Sequence, residues 1–388
     1  MSNLIFLDNG ATSFPKPEEV YRYMDHFYRN FGVNPGRSGY DLCMEAGLIV
    51  EETRKLLTDF FNGNDPNRLC FGYNSTDALN LIISGMLRPG DHAISTTVEH
   101  NSVLRPLYHL RRDGVDVDFV PFDGAGFVDP EEIRKKFRPT TRLVIVNHAS
   151  NVIGTVQPIA AIGRLCREAD IPFAIDASQS AGKVPIDVEA QFLDVVAFTG
   201  HKSLLGPTGI GGLYVREGIE IRHTRAGGTG VRSAVRAHLD EYPYRLEYGT
   251  PNVMGIAGLK AGVSWVLEKG LEKIHHEEMR LAGILLEGLR AVPRVKLYCL
   301  DSLEDHIAVL AFNIDGMDAA DAGTMLDVDF GIACRTGLHC APLVHEQMGT
   351  DKVHGTVRFG IGPFNTEEHI RTAVRAVEKI ASLPMKKR

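Results

Sequence analysis

A lysine stands where an apolar run of the sequence gives way to a polar loop. Residues 197–203 read AFTGHKS, so Lys202 follows a strand-like stretch, with Thr199 and His201 close by. A carbonyl cofactor attaches to proteins through a lysine amine, and neighbouring hydroxyl and imidazole groups can hold a phosphate. A lysine that only extends its amine from the rim of a sheet to solvent explains this segment equally well.

An acidic residue ends the apolar run before it. Residues 173–179 read FAIDASQ, so Asp176 falls at the end of the preceding predicted strand. Pyridoxal 5′-phosphate (PLP) acts as an electron sink while its ring nitrogen is protonated, and a carboxylate beside that nitrogen maintains the charge. Open α/β sheets bind ligands at the carboxyl ends of their strands, where both Asp176 and Lys202 fall. Asp176 alone could be a helix cap, but the pair favours a PLP site.

Two weaker signals follow other predicted strands. Residues 74–77 read NSTD and open a predicted helix. Its free N–H groups would attract an anion, which makes Ser75 and Thr76 candidates for a phosphate site. The same pattern is equally typical of an N-terminal helix cap. His100 could lie flat on a pyridine ring, although spacing alone favours a histidine that faces solvent.

These residues need a scaffold that brings strand ends together. From residue 41 to about 190, stretches with helical periodicity alternate with short β-rich runs, which predicts an α/β fold with a mostly parallel sheet covered by helices. Apolar runs at 193–198 and 210–215 should pair locally or form an antiparallel edge. An irregular passage at 229–250, rich in Arg, Gly and Tyr, leads to a second, smaller set of helices and strands.

The composition excludes several classes of protein. The 388 residues carry a formal net charge of −7, without the basic character that nucleic-acid binding requires. No apolar run approaches the ~20 residues of a membrane span, and no basic region precedes the first apolar stretch, so we expect a cytoplasmic protein. The six cysteines form no CxxC pair, which disfavours disulfides and structural zinc; we expect free thiols and no metal.

An ordered set of motifs resembles the class V aminotransferase family, and within it the cysteine desulfurases and selenocysteine lyases. The motifs are LDNGAT at 7–12, SNVIG at 150–154, GHK at 200–202, GTPN at 249–252 and VRF at 357–359. This resemblance spans nearly the whole chain and implies a PLP-dependent transferase of fold type I. A large PLP-binding domain at 16–250 would contain a mostly parallel, seven-stranded sheet. A smaller α+β domain would combine 1–15 with 251–388.

The resemblance also implies a role for each motif residue. Lys202 would bind PLP covalently, Asp176 would face the pyridine nitrogen, and His100 would stack on the ring and serve catalysis. The other cofactor contacts would be Gln179 at the ring hydroxyl and, at the phosphate, Ser75, Thr76, Thr199, His201 and a homodimer partner's Thr250. The substrate would be held by Arg358, as a bidentate carboxylate clamp, and by Asn151, Arg37 and Ala11.

One segment is similar to the short RxGxHCA loop of group II (SUF-type) desulfurases. Residues 333–342 read ACRTGLHCAP, with Leu338 in place of the usual histidine and Cys334 as an extra thiol. By that resemblance, Lys202 moves the α-proton of bound L-cysteine. The Cys340 thiolate then attacks the substrate sulfur, giving alanine and a persulfide for an acceptor protein or small thiol. A buried, inert Cys340 is the alternative, which the polar, loop-like segment disfavours.

Other functions fit parts of the same pattern. Selenocysteine lysis, β-elimination or transamination could use the same scaffold, and selenocysteine cleavage could proceed without Cys340. A non-catalytic scaffold protein would have no need of Lys202. A metal site built from His339, Cys340 and His345 matches no standard zinc spacing.

Overall fold

The computed structural model describes residues 4–36 and 39–384. The strands are β1 (Ile5–Phe6), β2 (Leu69–Gly72), β3 (His92–Thr96), β4 (Asp116–Val120), β5 (Thr141–Asn147), β6 (Phe173–Asp176), β7 (Val195–Thr199), β8 (Gly211–Val215), β9 (Val295–Leu297), β10 (Val309–Ile314), β11 (Ile332–Ala333), β12 (Arg335–Gly337) and β13 (Thr356–Gly360). They form a seven-stranded, a four-stranded and a two-stranded sheet.

Helices cover these sheets. They are α1 (Glu18–Phe31), α2 (Asp41–Phe60), α3 (Ser75–Met86), α4 (Asn101–Arg112), α5 (Pro130–Arg134), α6 (Ile159–Glu168), α7 (Val253–Lys269), α8 (Leu271–Ala291), α9 (Ala319–Phe330), α10 (Pro342–Met348) and α11 (Glu367–Ala381). The alternation of helices and strands expected from residue 41 to about 190 is present, from α2 to β6. Helix α1 lies before the alternating pattern that begins near residue 41, and the sequence reasoning missed it.

The large sheet has the order β2-β8-β7-β6-β5-β3-β4. Strands β4, β3, β5, β6 and β7 run parallel, whereas β8 is antiparallel to both β7 and β2. The predicted mostly parallel, seven-stranded sheet is therefore confirmed. The antiparallel pairing of the last two runs is also confirmed, but β8 lies inside the sheet and β2 forms the edge.

Both faces of the large sheet are buried. Val144 and Val146 of β5 belong to one apolar cluster, and Leu143 and Ile145 belong to the cluster on the opposite face. Successive side chains of a strand point to opposite faces, so a strand buried on both sides must be apolar throughout. This requirement explains why β5, β6 and β7 read as continuous apolar runs that end abruptly in polar residues.

The four-stranded sheet, of order β12-β13-β10-β9, has its own core. Apolar residues of α8, α9 and α11 pack with those of β10 and β13 in one cluster, which also includes Ile5 and Leu7 from the start of the chain. Strand β1 runs parallel to β11, pairing Ile5 with Ile332. The division of the chain at residues 15 and 250 stays a prediction.

Helix α7 is apolar along much of its length but is only 17 residues long. Across residues 4–36 and 39–384, no helix combines the length and the apolar character needed to cross a membrane.

Candidate active site

A polar cavity of about 270 Å³ lies at the carboxyl ends of the parallel strands. Eleven residues predicted from the sequence line it: Ala11, Ser75, Thr76, His100, Asn151, Asp176, Gln179, Thr199, His201, Lys202 and Arg358. Most of them lie at the last residue of β6 or β7 or in the segments that follow β2, β3, β5, β6 and β7. The others come from the N-terminal segment and from β13. The parallel sheet therefore brings residues that are distant in sequence to a single edge.

Three other predicted residues are not part of this lining. Arg37 lies outside the described residues. Thr250 lines a different cavity, of about 360 Å³. Cys340 is half-buried beside the polar cavity, where its Sγ lies 3.0 Å from Nη2 of Arg335, a lining residue.

Asp176 and Lys202 follow adjacent strands. Asp176 ends β6, next to β7, and Lys202 lies three residues beyond the end of β7. Burial lowers the pKa of Lys202 to about 8, although the Asp176 carboxylate acts in the opposite direction. The hydrogen bonds to Asp176 from Ser75 Oγ and from the N–H and Oγ of Ser178 all end on Oδ1. Among the described residues, no donor reaches Oδ2.

Donors suited to a phosphate gather at the start of α3. The side chain of Asn74 caps this helix by accepting the Asp77 N–H at 3.0 Å. The first N–H groups of the helix, at Ser75 and Thr76, have no acceptor within it, and the helix dipole adds positive potential there. Thr199 Oγ1 is buried in the same cavity, and no described residue bonds to it.

His100 caps α4, is half-buried and lines the polar cavity. The Ser102 N–H donates to His100 Nδ1 at 3.1 Å, so Nδ1 is the acceptor and the ring proton sits on Nε2. Ser102 Oγ also contacts this nitrogen at 2.9 Å and Thr76 Oγ1 at 2.7 Å. Burial and the Lys202 charge lower the pKa of His100 to about 4. His100 is therefore a neutral imidazole whose tautomer is fixed.

The N-terminal segment, residues 8–16, forms hydrogen bonds to the loop that carries Lys202. Ser13 Oγ donates to the Lys202 carbonyl at 2.8 Å, and Lys16 Nζ donates to the His201 carbonyl at 2.6 Å. His201 Nδ1 lies 3.0 Å from Thr12 Oγ1. Burial, with smaller contributions from Lys202 and Lys16, lowers the pKa of His201 to about 4.

The same segment holds the predicted substrate clamp. Arg358 is 0% exposed; its Nη2 pairs with Asp8 Oδ1 at 2.5 Å, and its Nη1 donates to the Asn151 carbonyl at 2.9 Å. Its Nε is buried without a partner among the described residues. A Cβ at Gly10 would lie 3.0 Å from the guanidinium carbon, so the missing side chain lets the arginine approach the backbone. Gln179 Nε2 donates to the Gly10 carbonyl at 2.7 Å.

The expected loop around Cys340 is partly a strand. Residues 335–337 form β12, in antiparallel register with β13, and only the turn that follows is irregular. His339, one of the residues that made this segment polar and loop-like in the sequence, is only 1% exposed. The Cys340 carbonyl accepts the N–H of Asn101, next to His100, at 2.7 Å.

Sequence reasoning missed several lining residues, of which Arg335, Ser102 and Ser178 matter most. Each stands within five positions of a predicted site residue. Closeness in sequence to a motif is therefore the one signal that could have identified them. The proposed grouping of His339, Cys340 and His345 lacks the contacts of a metal site. Across the described ranges, no three His, Cys, Asp or Glu side chains are arranged to hold a metal ion.

The cavity fits PLP on four independent features. It presents an amine at Lys202, a carboxylate oxygen without a donor at Asp176, a helix N-terminus, and the unpaired hydroxyl of Thr199. A phosphate would satisfy the hydroxyl and the helix N–H groups, and a protonated pyridine nitrogen would satisfy the carboxylate. The neutral ring of His100 can stack on a pyridine without repelling its positive charge.

Comparisons with known proteins agree with this chemistry. A family model described as aminotransferase class-V matches residues 5–372. A probable cysteine desulfurase of Methanothermobacter thermautotrophicus is 33% identical over 384 residues, which cover 98% of this chain and 95% of the relative. A cysteine desulfurase of Escherichia coli is 33% identical over 391 residues, covering 98% and 94%.

Solved structures are similar over the same extent. The apo structure of a cysteine desulfurase from Thermococcus onnurineus has a TM-score of 0.91 at 33% identity and covers 97% of this chain and 94% of that one. The cysteine desulfurase CsdA from Escherichia coli, in its S-sulfonic acid form, has a TM-score of 0.86 at 29% identity, with coverage of 97% and 94%. The chain therefore belongs to the aminotransferase class-V family of PLP-dependent enzymes with fold type I.

Proposed function

We propose that this chain is a PLP-dependent cysteine desulfurase that converts L-cysteine into L-alanine and receives the sulfur on Cys340 as a persulfide. The contact between Arg335 Nη2 and Cys340 Sγ, at 3.0 Å, carries this proposal. Arg335 lines the same cavity as Lys202 and Asp176, so the contact joins a thiol to a PLP site. The short loop that holds Cys340 also supports membership of group II within the desulfurases.

Different residues of the cavity have different roles in the proposed reaction. Bound PLP supplies an aldehyde for the substrate amine and a sink for the electrons left when the α-proton is removed. Arg358, desolvated and held by Asp8, binds the substrate carboxylate. Burial lowers the pKa of the Lys202 amine to about 8, so its unprotonated form, which accepts the α-proton, increases as the pH rises through 8. Asp176 keeps a positive charge on the ring nitrogen.

Cys340 then takes the sulfur. Its thiolate attacks the substrate sulfur, an S–S bond forms as the Cβ–S bond breaks, and the electrons of that bond remain on the substrate, whose carbon takes up a proton. One cysteine and one protein thiol thus become one alanine and one protein persulfide. The Arg335 guanidinium stabilises negative charge on sulfur during the attack. A thiolate of an acceptor protein or small thiol takes the outer sulfur and restores Cys340.

A homodimer completes the site in this proposal. Thr250 lies in a separate cavity, whose lining includes residues 229–231, 244 and 246–252, and not in the cavity that holds Lys202. A second copy of the chain would bring its own Thr250 to the phosphate end of the polar cavity. This arrangement agrees with the unpaired hydrogen-bonding capacity at Thr199 Oγ1.

Alanine release from L-cysteine in the presence of dithiothreitol tests the proposed function. We expect Cys340→Ala to lower the rate at least on the order of 100-fold while the visible absorbance of bound PLP persists. Cys334→Ala is the matched control and should retain activity. Burial, together with the carboxylates of Asp8 and Asp327, raises the pKa of Cys334 to about 12, so it is a protonated thiol at neutral pH.

The outcomes separate the alternatives. If the wild type binds PLP but releases alanine only from selenocysteine, selenocysteine lysis replaces the present proposal. If Cys340→Ala turns over cysteine as fast as the wild type, the persulfide step is wrong.

The contribution of Thr250 is tested by mixing subunits. We expect Thr250→Val to weaken PLP binding about 10-fold, because it removes one hydrogen bond to a charged phosphate. At PLP concentrations below the Kd of the Thr250→Val homodimer, co-expression of Thr250→Val with Lys202→Ala should give more activity than either variant alone, since a mixed dimer holds one site with both native residues. A protein that sediments as a monomer would contradict the proposed homodimer. So would co-expressed variants with no more activity than either variant alone.

A further inference from the structure

The turn that carries Cys340 has an uncommon backbone. Gly337, His339 and Cys340 have φ angles of +99°, +48° and +60°. Glycine adopts this region freely, but residues with a side chain rarely do. Two such residues in succession persist only where contacts from outside the turn hold them.

One of these contacts comes from the His339 side chain. Its Nε2 lies 3.0 Å from both the carbonyl oxygen and the hydroxyl of Thr356. A carbonyl oxygen only accepts, so Nε2 carries the ring proton and donates it. Burial and the charge of Arg358 hold the pKa of His339 well below its ordinary value, so the ring is neutral. Its Nδ1 is buried and bonds to none of the described residues.

Two further bonds hold the backbone of the turn. Asn151 Nδ2 donates to the His339 carbonyl at 2.7 Å, and the Asn101 N–H donates to the Cys340 carbonyl at 2.7 Å. Asn151 lies in the turn after β5, and Asn101 is the first residue of α4, so both donors belong to segments that follow strands of the large sheet. These two bonds fix the backbone carbonyl groups of the turn. The side chain of His339, in contrast, is buried and bonds to Thr356.

The anchor connects the thiol to both arginines of the site. Thr356 opens β13 and stands two residues before Arg358. In the pairing of β12 with β13, Gly337 lies opposite Thr356, and Arg335 lies opposite Arg358. A bond from His339 to Thr356 therefore sets where the turn leaves the strand, and so where Cys340 Sγ lies relative to the Arg335 guanidinium.

We infer that His339 is a positioning residue for Cys340: its Nε2–H bond to Thr356 holds the left-handed turn that keeps the thiol beside Arg335. This inference rests on the proposed function, in which Cys340 attacks the substrate sulfur. Without the bond the turn relaxes toward ordinary backbone angles and Sγ moves. A displacement of about 1 Å at a reacting atom lowers a rate on the order of 100-fold.

Two substitutions separate positioning from packing. His339→Leu fills the buried space without a donor, whereas His339→Gln retains an N–H donor at a similar reach. We expect His339→Leu to lower kcat for L-cysteine on the order of 10- to 100-fold. KM should change less than about twofold, because the proposed carboxylate clamp, Arg358, is held by Asp8 and the Asn151 carbonyl and not by His339. His339→Gln should recover most of kcat, and both should retain the absorbance of bound PLP.

A second readout is independent of turnover. Alkylation of Cys340 by iodoacetamide, followed by mass spectrometry, should slow on the order of 3- to 10-fold in His339→Leu, because the thiol loses its cationic neighbour. His339→Gln should restore the rate. If His339→Leu does not fold, His339→Asn takes its place, since its shorter side chain cannot reach Thr356.

The inference is overturned if His339→Leu retains both kcat and the alkylation rate. It is also overturned if the leucine and glutamine variants lose activity equally together with bound PLP, because His339 is then a packing residue. A wild-type protein that releases no alanine would refute the proposed function instead. The alkylation rates of the variants would still decide whether His339 positions the thiol.

Discussion

Lys202→Ala should abolish turnover and the visible absorbance of bound PLP, with a rate loss of at least about 10⁴-fold, at the upper end of what a positioned acid or base contributes. The variant removes both the amine that attaches the cofactor and the group that moves the α-proton. Lys202→Arg is the matched control, because arginine keeps a positive charge beside Asp176 but cannot form the covalent bond to PLP. Both variants should be inactive. A Lys202→Ala protein that kept colour and turnover would contradict the assignment.

The pH dependence of PLP uptake follows from the same residue. An amine attacks an aldehyde only when it is unprotonated, and burial lowers the pKa of Lys202 from 10.5 to about 8. Uptake by the cofactor-free protein, measured by stopped-flow absorbance, should therefore accelerate as the pH rises through 8 and then level off. An acceleration that continued toward 10.5 would indicate an ordinary, solvated lysine.

Asp176→Asn should lower alanine release on the order of 10³-fold, the size of effect seen when one charge-stabilising group is removed from an active site. The amide is neutral, so it cannot maintain the positive charge on the ring nitrogen that makes PLP an electron sink. PLP should still bind, because Lys202 and the phosphate contacts are unchanged, but its absorbance maximum should shift.

Asp194→Asn is the control for losing a buried carboxylate from the sheet. Asp194 stands just before β7, at the end of the strand that is away from the cavity. Its carboxylate accepts a hydrogen bond from the Phe173 N–H and forms an ion pair with Arg216. Its replacement should lower the melting temperature without changing turnover per folded molecule. Equal turnover losses in Asp176→Asn and Asp194→Asn would mean that Asp176 supports folding and has no special role.

The large sheet and its strand-end residues were predictable because one physical rule governs both. Strands buried on two faces must be apolar, so a polar residue at their end is conspicuous, and parallel strands bring such residues to one edge. Asp176 and Lys202 stand out in the sequence for this reason. Their placement in one cavity follows from the strand order, whereas their roles in catalysis stay predictions.

Other features depend on contacts that no local pattern encodes. Strand β12 is only three residues long, too short for a periodicity, so its pairing with β13 was not predicted. The burial of His339 and the approach of Arg335 to Cys340 both result from that pairing. Thr250 lies outside the polar cavity of its own chain, and the pattern within one chain does not indicate whether it serves a second copy.

The N-terminal segment has a consequence for how the protein is made. Asp8 contacts Arg358, 350 positions later in the chain, and Ser13 contacts the Lys202 loop. At about 5–20 residues per second, a ribosome needs on the order of tens of seconds to synthesise the intervening residues. Throughout that time Arg358 is missing and Asp8 has no partner. A nascent chain can thus assemble the large sheet early, but the proposed carboxylate clamp is complete only after β13 has emerged.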